Sequence, residues 1–97
     1  MPTERRLSSV TATLSNVSSS ATNVTILAAN SARLLAMVQN DSTQILYLKF
    51  GATASTSSYT VQMPANSYYE IPYPYTGIID GIWASANGNA RVTELTP

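Results

Sequence analysis

The 97-residue chain contains neither cysteine nor histidine. Without cysteine it has no disulfide framework and no thiolate ligand for a metal ion. Without histidine it lacks the commonest metal ligand and the usual general base near neutral pH. The sequence therefore predicts no metal, no cofactor and no catalytic residue, and we expect a protein that is not an enzyme.

Charge is also scarce, with five basic and five acidic residues and a net charge of zero. No basic stripe is available to neutralise phosphates, so a nucleic-acid partner is not predicted. No apolar run is long enough to span a bilayer, and no apolar stretch follows the basic pair Arg5-Arg6 as it would in a secretory signal. Serine, threonine and asparagine supply most of the polarity, and the low net charge favours association with other proteins.

Short alternating runs, separated by serine-rich clusters and turn residues, fill most of the chain. About eight such runs are typical of a β-sandwich or barrel. They cover residues 10–14, 24–29, 34–38, 46–50, 59–63, 69–71, 78–85 and 90–95. A helix over 28–38 is a weaker alternative, because Asn30-Ser31 interrupts the run.

The predicted fold is all-β: a single antiparallel β-sandwich over residues 9–97, with a jelly-roll-like order of strands. An immunoglobulin-like order satisfies the same alternation and remains the alternative. Residues 1–8 hold much of the charge and few apolar anchors, and we interpret them as a flexible N-terminal arm.

Asn87-Gly88 separates the last two runs and predicts a two-residue hairpin. Asn-Gly favours a type I′ turn, because both of its central residues need positive φ. The resulting register would place Trp83 opposite Val92.

Several strands are apolar on both faces. Ile79, Trp83, Ala90 and Val92 would share one face of the last two strands, and Ile82 would lie on the other. On the third strand, Leu35 and Met37 would lie on one face, and a second apolar set would lie on the other: Leu34, Ala36 and Val38. A solitary sheet usually has one polar face, so the second face is covered either by a loop of the same chain or by another copy.

Two groups of residues could carry chemistry. Asp80 and Glu94 would lie near each other across the predicted hairpin, and paired carboxylates can act in acid–base catalysis, although isolated acids are more often solvated or salt-bridged. An aromatic cluster could form a protein interface, stack on a sugar, or close one end of the barrel. It comprises Tyr68, Tyr69, Tyr73, Tyr75 and Trp83.

Several strand segments together resemble small all-β virion structural proteins of tailed bacteriophages. The resemblance covers roughly residues 23–95 and is a pattern of strands without a catalytic signature. Its segments are 23–29 (NVTILAA), 33–40 (RLLAMVQN), 45–51 (ILYLKFG), 58–63 (SYTVQM), 69–75 and 76–94 (TGIIDGIWASANGNARVTE).

The resemblance implies a capsid decoration or cement protein, made in the bacterial host cytoplasm and placed on the outer surface of the phage capsid. Its partners would be the major capsid protein and further copies of itself, with a trimer favoured. A protein that binds only the assembled shell stabilises it by mass action. The alternatives are a head or tail fibre or adaptor component, or a module that binds host glycan through Tyr68, Tyr73, Tyr75 or Trp83.

The predicted contacts with partners combine the arm, the second strand faces and the aromatic cluster. They are Arg5, Arg6, Leu35, Met37, Tyr68, Tyr69, Tyr73, Tyr75, Ile82 and Trp83.

Deletion of residues 1–8 tests the arm. We expect the truncated protein to load less well onto capsids, because Arg5 and Arg6 would no longer meet acidic groups on the partner. Co-sedimentation of protein with capsids measures the loading, and undiminished loading would contradict the role of the arm.

Overall fold

The computed structural model describes residues 8–97, and this part of the chain contains eight strands and no helix. The all-β prediction is confirmed, and the helical alternative over 28–38 is wrong. Arg5, Arg6 and almost all of the predicted arm lie outside the described residues. The strands are β1 (Thr11–Ser18), β2 (Val24–Leu27), β3 (Leu35–Asp41), β4 (Leu46–Phe50), β5 (Val61–Met63), β6 (Tyr68–Ile71), β7 (Ile79–Trp83) and β8 (Asn89–Thr96).

The strands form two four-stranded antiparallel sheets. Sheet A has the order β1-β8-β3-β6, and sheet B has the order β2-β7-β4-β5. The pairs β1·β8, β2·β7, β3·β6 and β4·β5 are those of one long hairpin folded at its middle and then coiled into two layers. This nested pairing is the jelly-roll order. An immunoglobulin-like sheet would instead place the first two strands side by side, so that alternative does not hold.

The predicted hairpin at Asn87-Gly88 is wrong, because β7 and β8 belong to different sheets. Trp83 lies opposite Leu46 in sheet B, and Val92 lies between β1 and β3 in sheet A. Gly88 has a positive φ of 76°, but Asn87 does not, so the turn is not type I′. The segment is a corner that carries the chain from one sheet to the other.

The core lies between the two sheets and is built from the inward-facing residues of alternating strands. Ile79, Trp83, Ala90 and Val92 all point into this core and are at most 1% exposed. They reach it from opposite sheets, however, so the single shared face predicted for them is wrong. Each large apolar side chain buried in this way stabilises the fold by about 1.5–3 kcal/mol relative to exposure. The core cluster comprises Ile26, Ala36, Val38, Leu46, Leu48, Met63, Ile71, Ile79, Trp83, Ala90 and Val92.

A buried asparagine connects the two sheets through polar contacts. The Oδ1 atom of Asn40, on β3, accepts hydrogen bonds from Trp83 Nε1 at 3.0 Å and from Ser42 Oγ at 2.7 Å. Its Nδ2 donates to the carbonyl oxygens of Gln44 at 2.7 Å and Met63 at 2.9 Å. Both ends of the amide are therefore paired, as a fully buried polar group requires.

Arg33 is the second buried polar centre and is 2% exposed. Its Nε donates to Glu94 Oε2 at 2.8 Å. Its other nitrogens donate to the carbonyl oxygens of Ala28 at 2.8 Å, Gly77 at 3.1 Å and Tyr75 at 3.3 Å. One guanidinium thus joins two loops to β8.

We expect Arg33→Ala to lower the free energy of unfolding by about 3–5 kcal/mol, because it leaves a largely buried carboxylate and three carbonyls without their donor. Arg91→Ala is the matched control. Its ion pair with Asp41 is 56% and 40% exposed at the two side chains, so the loss should be below about 1 kcal/mol. Urea unfolding of both variants measures the difference, and equal losses would contradict the role given to Arg33.

Candidate interaction surface

The outer face of sheet A carries a contiguous patch that is mostly apolar. Residues directly opposite each other in a sheet present their side chains on the same face. In one row Leu35 lies opposite Leu95, which lies opposite Ala12. In the next row Met37 lies opposite Thr93, which lies opposite Leu14. These six residues are called the outer patch: Ala12, Leu14, Leu35, Met37, Thr93 and Leu95.

The pleat of β3 explains why this face is apolar. Ala36 and Val38 are completely buried in the core. Because alternate residues of a strand point to opposite faces, Leu35 and Met37 point outward. The sequence-based prediction of two opposed apolar faces on this strand is confirmed. Leu35 and Met37 are half-buried by their neighbours on the sheet, whereas Leu14 is 74% exposed.

Polar groups border the outer patch. Arg91, on β8, donates to Asp41 Oδ2 at 2.7 Å and to Asn16 Oδ1 at 3.5 Å. Glu70 lies opposite Met37 on β6, and Tyr68, two residues earlier, is 62% exposed. An apolar centre inside a polar rim is the usual anatomy of a protein–protein interface.

The outer face of sheet B differs, because residues 51–60 of the chain fold over part of it. Lys49 Nζ, on β4, donates to Ser58 Oγ at 2.7 Å and to the Thr53 carbonyl at 3.2 Å. The Tyr59 ring packs edge-on against Tyr47, with ring centroids 5.0 Å apart. On this sheet the chain covers its own second face, which was one of the two interpretations left open by the sequence.

The possible carboxylate pair does not form, because its two members lie in different sheets. Asp80 lies on β7, opposite Thr25 and Lys49, and is 2% exposed. Glu94 lies on β8 and is held by Arg33. The proximity predicted from the hairpin is therefore wrong.

Three of the predicted interface residues come together on one surface. Leu35 and Met37 belong to the outer patch, and Tyr68 borders it. Tyr73 is 48% exposed in the loop that follows β6. Ile82 lies on the other sheet, half-buried and opposite Tyr47.

The remaining aromatic residues pack inward. The rings of Tyr69 and Tyr75 lie against Phe50, with centroids 6.1 and 4.9 Å apart, and Tyr75 Oη donates to the Ile78 carbonyl at 2.7 Å. Trp83 is 1% exposed in the core. It offers no surface to a partner or a sugar, so its prediction as an interface residue is wrong.

Sequence reasoning missed four members of the outer patch: Ala12, Leu14, Thr93 and Leu95. The alternation of apolar and polar residues in β1 correctly marked a strand. Alternation does not reveal whether the apolar side of a strand faces the core or solvent, and only the pairing of β1 with β8 places Leu14 on the outer face.

Residues 8–97 form no pocket and bring together no three acidic, histidine or cysteine side chains able to hold a metal. This part of the chain also contains no helix long and apolar enough to cross a membrane. Comparison of the chain with models of protein families, with curated proteins and with solved structures gave no match.

Proposed function

We propose that the protein is a non-enzymatic structural component of a tailed-bacteriophage particle, and specifically a decoration or cement protein on the outer surface of the capsid. The outer patch is the observation that carries the proposal. The outer patch docks on the major capsid protein. The chain is made in the host cytoplasm before it joins the particle.

The contrast between the two sheets supports a docking role for sheet A. Sheet B has residues 51–60 across part of its outer face, whereas the outer patch includes a leucine that is 74% exposed. Single exposed leucines are common on protein surfaces and require no explanation. In the outer patch, the exposed Leu14 and Ala12 adjoin four half-buried side chains inside a polar rim, an arrangement typical of an interaction surface.

The strand order supports a virion role by analogy. Jelly rolls of eight strands occur in viral capsid proteins and in lectins. Because one fold hosts many functions, this analogy adds to the sequence resemblance and does not replace it. Capsid stabilisation then needs no chemistry, since copies that bind only the assembled shell must be released before it can come apart.

A second candidate is a host-glycan-binding module. The observation that favours it is the exposure of Tyr68 and Tyr73, 62% and 48%. Tyr75 is hydrogen-bonded and packed against Phe50, and Trp83 is buried, so two of the four rings considered from sequence remain available.

The location of the protein tests the proposed function. Phage particles from a host culture that carries this gene are purified on a density gradient, and their proteins are quantified by mass spectrometry. We expect the chain in the particle fraction, in fixed proportion to the major capsid protein. Its absence from intact particles would overturn the proposal, and presence in tail fractions alone would favour a fibre or adaptor.

Met37→Lys then tests the docking surface. A lysine at this position places a charge within the outer patch, and we expect loading onto particles to fall at least about tenfold, equivalent to 1.4 kcal/mol. Thr25→Lys is the matched control, because Thr25 is exposed on the outer face of sheet B. Quantitative co-sedimentation measures both variants, and equal loading would contradict docking through sheet A.

A further inference from the structure

The two sheets have four edge strands, and three of them carry features that discourage pairing with another chain. β5 has three residues and is followed by Pro64, and β6 has four residues and is followed by Pro72. β2 has four residues and an irregular register between Thr25 and Leu27. Short strands, prolines and bulges are the usual means of protecting a sheet edge.

β1 carries none of these protections. It has eight residues, TATLSNVS, with no proline, no glycine and no charged side chain. Its register with β8 is regular over the whole length, from Thr11 opposite Thr96 to Ser18 opposite Asn89. Within residues 8–97 no strand lies beyond it in sheet A. A long, regular, uncharged edge of this kind is a template for another strand.

β1 also packs little against its own domain. Seven of its eight residues are exposed, and only Val17 is half-buried. Ser15 lies opposite the buried Val92, which puts Thr11, Thr13 and Ser15 on the inner side of the sheet, yet all three are exposed. In the described chain the strand is thus held mainly by its ladder with β8.

The backbone groups of the open edge can be identified from one hydrogen bond. The Ser19 N–H donates to the Gly88 carbonyl at 3.1 Å, directly after the last residue pair of the β1·β8 ladder. In an antiparallel ladder, residues whose backbone groups bond to the partner strand alternate with residues whose groups point away. Ala12, Leu14 and Asn16 therefore direct their N–H and C=O groups toward the open edge.

We propose that β1 pairs antiparallel with β1 of a second copy of this chain about a two-fold axis perpendicular to the sheet. The two A sheets become one continuous eight-stranded sheet, with both outer patches on the same side. This inference deepens the proposed function, because the merged patches form one docking surface of twice the area.

A second copy fits this edge for two reasons. A two-fold axis pairs each strand with itself, so a charge near the axis would lie close to the same charge of the other copy, and β1 has no charge. The axis also places Leu14 and Ala12 of both copies side by side, which makes the apolar surface continuous. A cyclic trimer joined by strand pairing at β1 would need β1 to meet a different edge, and the three others are short.

Leu14→Pro tests the pairing in the purified full-length protein. Proline removes the Leu14 N–H, which points to the open edge, and removes no bond to β8. We expect the wild-type chain to sediment as a dimer and the variant to have a dissociation constant raised at least about tenfold. Leu14→Lys should have the same effect, since it places two like charges beside the axis and leaves the backbone intact.

Gln62→Lys is the control, because it adds the same charge to an exposed residue on the β5 edge of sheet B and should leave the dimer unchanged. Circular dichroism establishes that each variant is folded. If Leu14→Pro does not fold, Leu14→Lys alone tests whether β1 pairs with β1 of a second copy. A monomeric wild-type protein, or Leu14→Lys dimers as tight as those of Gln62→Lys, would overturn the proposal. The dimer is measured without capsids. A chain that dimerises but is absent from phage particles would therefore refute the proposed function and leave the pairing of β1 standing.

Discussion

The hydrogen bond between Asn40 and Trp83 joins the two sheets across the core and specifies which residues of β3 face inward. Asn40 is fully buried on β3 of sheet A, and the Trp83 indole comes from β7 of sheet B, 3.0 Å away. An unpaired polar atom at that depth would cost about 1–3 kcal/mol, so β3 must keep its even-numbered residues inward. Since a shift of one residue would reverse both faces of the strand, the same contact keeps Leu35 and Met37 on the outside.

The strands themselves could be predicted from sequence because their signals are local. Alternation along each run and the turn residues between runs located all eight, and the inward side of both β7 (Ile79, Trp83) and β8 (Ala90, Val92) was correct. Pairing could not be predicted in the same way. Asn87-Gly88 is a strong local hairpin signal. Trp83 and Val92, however, are buried by packing the two sheets face to face, and their side chains enter the core from opposite sheets. Non-local burial therefore outweighed local turn preference.

The outer patch was only partly predictable for a related physical reason. Leu35 and Met37 could be assigned to the outer face because their strand is apolar on both faces. A sheet with one solvent-facing side usually carries polar residues on that side. Trp83 was misassigned because a large aromatic ring serves equally well in an interface and in a core. Leu14 was missed because its exposure depends on β1 lying at the edge of sheet A, which only the pairing reveals.

The outer patch is hard to explain by the needs of folding alone. A side chain that remains 74% exposed, as Leu14 does, contributes little to the stability of its own domain. A polar residue there would leave the core unchanged and would reduce any tendency to associate. The same holds for the uncharged edge of β1, where one lysine would suffice as protection. Two neighbouring features that each favour association, on the sheet whose outer side the described chain leaves open, together support the proposed assembly with other molecules.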